Sequence, residues 1–137
     1  MAIPTKYREG LTRRCDGQMV LTVDSRERCL LLYPLPDWEE IERKLVKLPS
    51  LNPQARRLQR LLIGHASECE LDGSGRILLS QPLREFAHLE KTAILTGQGN
   101  KFEIWSEEIW NTKRAAWLEA SDDNAEDMPP ELGSLSL

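Results

Sequence analysis

The apolar positions of this chain fall into two alternating rhythms, and the whole succession occurs twice. Between Glu68 and Leu71 the residues alternate strictly, with Cys69 and Leu71 on one face and Glu68 and Glu70 on the other. That period of two predicts a half-buried strand. Met19-Val20-Leu21-Thr22, Leu30 to Tyr33, Ala93-Ile94-Leu95-Thr96 and Phe102 to Trp105 are four further apolar runs of strand length. Trp38, Ile41, Leu45 and Leu48 recur at helical spacing and predict an amphipathic helix. It should begin at Asp37, with Glu40 three residues on as a capping box. Asn52-Pro53 opens a second helix reaching to about Ala66, with Leu58, Leu61 and Leu62 on one side. Ser106 caps a third, whose Ile109, Trp110, Ala116 and Trp117 are expected to face inward.

Sliding the chain along itself exposes the doubling. At an offset of 76, Ile3, Tyr7, Arg8 and Glu9 fall on Leu79, Leu83, Arg84 and Glu85. At 74, Met19 to Thr22 fall on Ala93 to Thr96; at 72, Leu30, Leu32, Tyr33 and Trp38 fall on Phe102, Ile104, Trp105 and Trp110. The offset shrinks because the loop Asp24 to Arg28 is longer than its counterpart around Gly97 to Asn100. Three blocks in order indicate an internal duplication. Each repeat reads as hairpin, short helical turn, strand, strand and longer helix, which predicts an α+β fold. The expected organisation is a first repeat over 1–52, a connecting helix over 53–66, a second repeat over 67–118 and an acidic, disordered tail over 119–137.

The most informative stretch follows the alternating strand. Asp72-Gly73-Ser74-Gly75 breaks the chain: glycine supplies positive φ, and the Asp carboxylate can accept backbone N–H groups inside the turn. Arg76 leaves that turn into Ile77-Leu78-Leu79, so the unit reads as a hairpin with an arginine at its mouth. Ser80 is a candidate cap for the short helical turn beyond. A guanidinium fork can bond phosphate, or guanine O6 and N7 together. Spacing alone equally allows Arg76 to pair with Asp72 or to cap the turn. Arg56, Arg57 and Arg60 lie on or near the polar side of the connecting helix; they form either part of a phosphate-facing surface or an ordinary solvated face. Arg8 and Arg84 are expected to tie the short helices to carboxylates.

Charge and composition narrow the remaining classes. Residues 1–65 carry 12 Lys/Arg against 8 Asp/Glu, and residues 66–137 carry 6 against 14. Six of those acids, Glu119, Asp122, Asp123, Glu126, Asp127 and Glu131, lie at the end of the chain; without them residues 1–118 net +2. The formal net charge of −4 is therefore a poor guide to what the body binds. No run approaches the roughly 18 apolar residues of a membrane span, and the opening MAIPTKYREG has no signal-peptide core. A soluble, cytosolic chain is expected. Cys15, Cys29 and Cys69 are odd in number and lack C-x-x-C spacing, and His65 and His88 lack metal-ligand spacing. Gly73-Ser74-Gly75-Arg76 is not the G-x-S-x-G elbow, and no Walker loop is present. Catalytic residues, metal, cofactor and small-molecule substrate are all expected to be absent. Trp38, Trp105, Trp110 and Trp117 read as core or subunit interface.

Asp72, Gly75, Arg76, Ile77, Leu79, Leu83 and Arg84 resemble the D-x-x-G-R-[IV]-x-[IL]-P-x-x-[LY]-R signature of AbrB-like swapped-hairpin DNA-binding domains, with Ser80 where that pattern usually has proline. Together with the duplication and with YPLPDWEEIE, RRLQRLLIGHASECELDGSGR and KFEIW, the chain resembles the bacterial MraZ family along essentially its whole length. The resemblance implies two tandem AbrB-like repeats forming a small β-barrel-like core with flanking helices. It also implies a cytoplasmic, nucleoid-associated regulator of the division and cell-wall gene cluster. Such a protein would bind double-stranded DNA at short G-rich promoter repeats, its own promoter included, as a homo-oligomeric ring. Asp72, Ser74, Gly75 and Arg76 are the implied DNA-binding turn, with Arg56, Arg57 and Arg60 as candidate companions. Family members carry D-x-x-G-R in both repeats, whereas Met1 here aligns with Ile77, after the point where the first copy should stand. The expectation is a start codon further upstream. The alternative is an oligomeric scaffold with little DNA affinity, its first hairpin being incomplete.

Overall fold

The computed structural model describes residues 1–120; the expected acidic tail lies, but for its first two residues, outside them. Along the chain come α1 (Thr5–Cys15), β1 (Gln18–Val23), β2 (Leu30–Pro34), α2 (Leu35–Val46), α3 (Pro53–Leu62), β3 (Ser67–Glu70), α4 (Gln81–Phe86), β4 (Ala93–Gly97), β5 (Phe102–Ser106) and α5 (Glu107–Glu119). The fold is α+β, as the pattern predicts. Five antiparallel strands form one sheet in the order β3-β1-β2-β5-β4. Strands of the second repeat thus flank the central pair contributed by the first. The end strands β3 and β4 are not paired with each other, so the barrel-like closure expected from the resemblance is replaced by an open sheet.

The central pair is buried on both faces, which is why it reads as continuous apolar sequence rather than as alternation. One face of β1 presents Met19, Leu21 and Val23 to a core with Ile3, Leu11, Ile77 and Leu83. The other presents Val20 to Tyr33, Trp38 and Leu45, with Leu58 and Leu62 packed against them. β3, by contrast, is an edge strand, and its Glu68 and Glu70 are exposed while Ser67 and Cys69 are half-buried. That is the alternation read in the sequence.

Several local expectations are corrected. α2 begins at Leu35 rather than Asp37, because Pro36 in its first turn costs no hydrogen bond and favours helix entry. Asp37 is therefore inside the helix. Its carboxylate accepts two hydrogen bonds from Arg14, at 2.7 and 3.0 Å, instead of capping. α1 extends 11 residues, well past the short turn expected. Ser80 stands at the N-cap of α4 without a side-chain capping bond. Arg8 donates to the Ile3 carbonyl at 2.6 Å rather than to a carboxylate. Asn52 does cap α3, its Oδ1 accepting from the amides of Gln54 and Ala55.

The chain divides into two compact units, Met1–Glu107 and Glu108 onward. In the second, Trp110 and Trp117 meet edge to face at 5.7 Å. No residue of α5 is buried, so the inward stripe expected there is not found.

Candidate functional site

β3 runs antiparallel to β1, with Glu70 opposite Gln18. As the chain leaves β3, the Leu71 amide donates to the Gly17 carbonyl at 2.9 Å. This contact holds the entrance of the next segment against the start of β1, and that segment is the Asp72–Arg76 turn. Asp72 organises it through its amide, its carbonyl and one carboxylate oxygen. Its Oδ1 accepts from the Ser74 amide at 2.8 Å and from the Arg76 amide at 2.9 Å. Its own amide donates to the Arg76 carbonyl at 2.9 Å, and its carbonyl accepts from the Gly75 amide at 3.0 Å. The Arg76 amide, then the Ser74 amide, the Arg76 charge and the Met1 ammonium hold this carboxylate below its ordinary range, against some loss of solvation.

Only one of the turn's two glycines needs to be glycine for conformational reasons. Gly75 has φ +75° and lies under the Arg8 guanidinium, whereas Gly73 has open space around its Cα. The second arm of the expected hairpin is also different. Gly75 to Ile77 pairs with Met1 to Ile3 rather than with β3: the Ile3 amide donates to the Gly75 carbonyl and the Ile77 amide to the Met1 carbonyl, both at 2.8 Å. Two segments 72 to 76 residues apart in sequence complete each other across this pairing. Ile77 is buried by it while Leu78 projects outward.

The Arg76 side chain is exposed and makes no hydrogen bond or ion pair with any described residue. Asp72 fixes its backbone, not its guanidinium. Asp72, Ser74, Gly75 and Arg76 are thus gathered in one rigid turn with a free cationic tip. Arg56, Arg57 and Arg60 are exposed on α3 and belong elsewhere. Arg57 Nη2 donates to the Ser25 carbonyl at 3.2 Å, in the loop that follows the far end of β1. Arg84 is exposed and has no carboxylate partner among the described residues. The sequence pointed Arg8 to a carboxylate rather than to the Ile3 carbonyl, and it gave Arg26 and Arg28 no role; the extra length of the 24–28 loop was the one signal near the last two.

Asp24, Cys29 and Glu103 bring potential metal-ligating atoms within 4.8 Å of one another. Burial first, then the Asp24 and Glu103 charges, push the Cys29 thiol up, so it stays protonated and faces Asp24 Oδ2 at 3.9 Å. Glu103 accepts from the Trp105 indole N–H at 3.1 Å. Cys29 and Asp24 thus face each other behind the loop, with Glu103 held toward Trp105 beside them.

An open five-stranded sheet whose strands come from both repeats, with helices packed against it and one aspartate-organised turn, defines an α+β protein built of two tandem repeats. The chain belongs to the MraZ family. The family model described as "MraZ protein, putative antitoxin-like" matches residues 1–61 and again 62–128. The chain is 62% identical over 138 residues to the transcriptional regulator MraZ of Methylococcus capsulatus, covering 100% of this chain and 90% of that protein. It is 58% identical to the transcriptional regulator MraZ of Alkalilimnicola ehrlichii and 54% identical to that of Coxiella burnetii, with the same coverage in both. Among the described residues, no helix is long and apolar enough to cross a membrane.

Proposed function

We propose that this chain is a DNA-binding transcriptional regulator that presents the Asp72–Arg76 turn to the duplex. The observation that carries the reading is the exposed, unpartnered Arg76 guanidinium on a backbone held by four hydrogen bonds to Asp72. The backbone of the turn is already ordered before binding, and the Arg76 fork of donors suits phosphate or a guanine edge. The names carried by its relatives support the regulatory role. In the finer form of the proposal the chain works in the cytoplasm at the nucleoid. It controls the division and cell-wall gene cluster by reading G-rich repeats, its own promoter included, as a homo-oligomeric ring. Repetition around a ring would let modest single contacts add by avidity. The reading requires no catalytic residue, cofactor or small-molecule substrate.

A gel shift with the duplex upstream of its own gene tests this. Arg76→Ala is expected to weaken binding by about 1–3 kcal/mol per engaged site, roughly 5- to 150-fold, with unchanged circular dichroism. Wild-type affinity in the variant would remove Arg76 from the interface. A wild-type chain that shifts no duplex at any salt concentration would favour the scaffold reading instead.

A further inference from the structure

We propose that Arg26, Arg28 and Arg57 form a second site for backbone phosphates of double-stranded DNA, at the end of the sheet opposite the Asp72–Arg76 turn. The proposal rests on the DNA-binding reading above. Strand β1 separates the two places. Its first residue, Gln18, pairs beside the strand that leads into the Asp72 turn, and its last, Val23, leads into the loop at Asp24. Six residues at about 3.3 Å each put roughly 20 Å between them. One protomer therefore offers arginine at two separated points.

The loop is built rather than slack. Asp24 Oδ1 accepts from the amides of Arg26 and Glu27 at 2.8 and 3.2 Å, and the Asp24 amide donates to the Cys29 carbonyl at 3.1 Å. Arg28 lies over the Phe86 ring, its Cζ 4.8 Å from the ring centroid. Arg57 reaches in from α3 and is held by the Ser25 carbonyl through one of its donors. Together with Arg26 these side chains line a cavity of about 330 Å³ that also touches Leu61 and Phe86.

Two carboxylates share this cavity, Asp24 and Glu27. Asp24 is committed on both oxygens, to the loop amides and toward the Cys29 thiol. Glu27 is half-buried and engaged. Glu103 lies beside Asp24 behind the loop, so three carboxylates stand near three guanidiniums, yet none of the three guanidiniums is in an ion pair among the described residues, and apart from the Arg57 bond to Ser25 their donors are unspent. Guanidinium forks without carboxylate partners fit a phosphodiester oxygen pair. Such contacts carry no base information; they position the protein on the duplex.

Salt dependence separates this role from that of Arg76. Binding of the full chain to the duplex upstream of its own gene, and to a scrambled duplex of equal length, would be followed by fluorescence polarisation across a salt series. In the double variant Arg28→Gln with Arg57→Gln, the slope of log affinity against log salt should fall by roughly 0.9 per lost phosphate contact. Affinity for both duplexes should fall equally. Arg28→Lys with Arg57→Lys keeps the charge and should keep the slope. Arg26→Gln, whose side chain makes no contact that the fold uses, gives the same reading should the double variant melt early. An unchanged slope in the Gln variants, or a loss confined to the upstream duplex, overturns the second site. Wild-type binding to neither duplex overturns the DNA-binding reading beneath it.

Discussion

Arg8 lies across Gly75, one side chain of the first repeat closing over the only positive-φ position in the turn of the second. Its Nε simultaneously donates to the Ile3 carbonyl, so the same guanidinium grips both exchanged segments. Gly75→Ala would add a methyl group where Arg8 Nε stands and would force alanine into the left-handed region. Strain there costs roughly 1–2 kcal/mol, and displacing Arg8 from Ile3 adds about 1.5–3 kcal/mol. A drop of about 2.5–5 kcal/mol by denaturant melting is expected. Gly73→Ala supplies the control, since that glycine has neither positive φ nor a neighbour within 4 Å. It should stay within about 0.5 kcal/mol of wild type or gain slightly. Equal losses in the two variants would mean that the Arg8 contact is irrelevant.

Asp72 makes the turn sensitive to acid. Its carboxylate sits below the ordinary value of 3.8 in the folded chain, chiefly through the Arg76 amide. A group whose value is depressed by folding contributes stability that is complete above its unfolded value and is lost as pH falls through the folded one. The turn should therefore be intact at neutral pH and loosen only below about pH 4. Carbon-detected NMR titration of the Asp72 carboxyl should give a midpoint under 3.8. Asp72→Asn retains an oxygen for the two amides but not the charge, and Asp72→Ala retains neither. Alanine should lower DNA affinity and melting temperature more than asparagine does. A titration midpoint at or above 3.8 would sink this account.

The cap at Asn52 gives a simpler case. Asn52→Ala removes the acceptor of two amides at the start of α3 and should cost about 1 kcal/mol by thermal melting. Asn52→Asp should be close to neutral, because aspartate caps equally well. If alanine has no effect, α3 is held entirely by its packed face.

Where a side chain's role followed from local spacing, the sequence was a sufficient guide. The alternation of Glu68 to Leu71, the stripe holding Trp38 and Leu45, the Asn52 cap and the acceptor role of Asp72 all depend on neighbours within a turn or two. What escaped depended on partners far along the chain. Nothing in Met1-Ala2-Ile3 signals that it will pair with Gly75 to Ile77, because three residues carry no period and the pairing is set by topology. Asp37 looked like a cap because Pro36 was read as lying outside the helix, when proline is at home in a first turn. Its true partner, Arg14, is 23 residues away. Arg28 sits in a loop without periodicity, and only the packing of α4 against the sheet brings Phe86 beneath it. The turn was legible in residue type, but the freedom of the Arg76 tip was not.

Thr22 offers the sharpest test of how the connecting helix is anchored. It is fully buried on the face of β1 that also carries Val20, and its Oγ1 donates to the Leu62 carbonyl at 2.6 Å. That carbonyl belongs to the last residue of α3, where no helical amide follows to donate to it. Thr22→Val keeps the shape but leaves the carbonyl without its donor, at a cost of about 1–3 kcal/mol. Thr22→Ser keeps the hydroxyl and gives up one methyl group, about 0.8 kcal/mol. Valine should therefore be the more damaging change although it is the more apolar one. Hydrogen exchange adds a local readout: amides in the last turn of α3 should exchange faster in the valine variant and hardly change in the serine one. Because α3 also carries Arg57 to its bond with Ser25, the valine variant should lose some salt-dependent affinity for any duplex, while a preference for the upstream sequence read through Arg76, as proposed, should stay the same. A valine variant as stable as wild type, with α3 equally protected, would mean that packing of Leu58 and Leu62 alone holds the helix to the sheet.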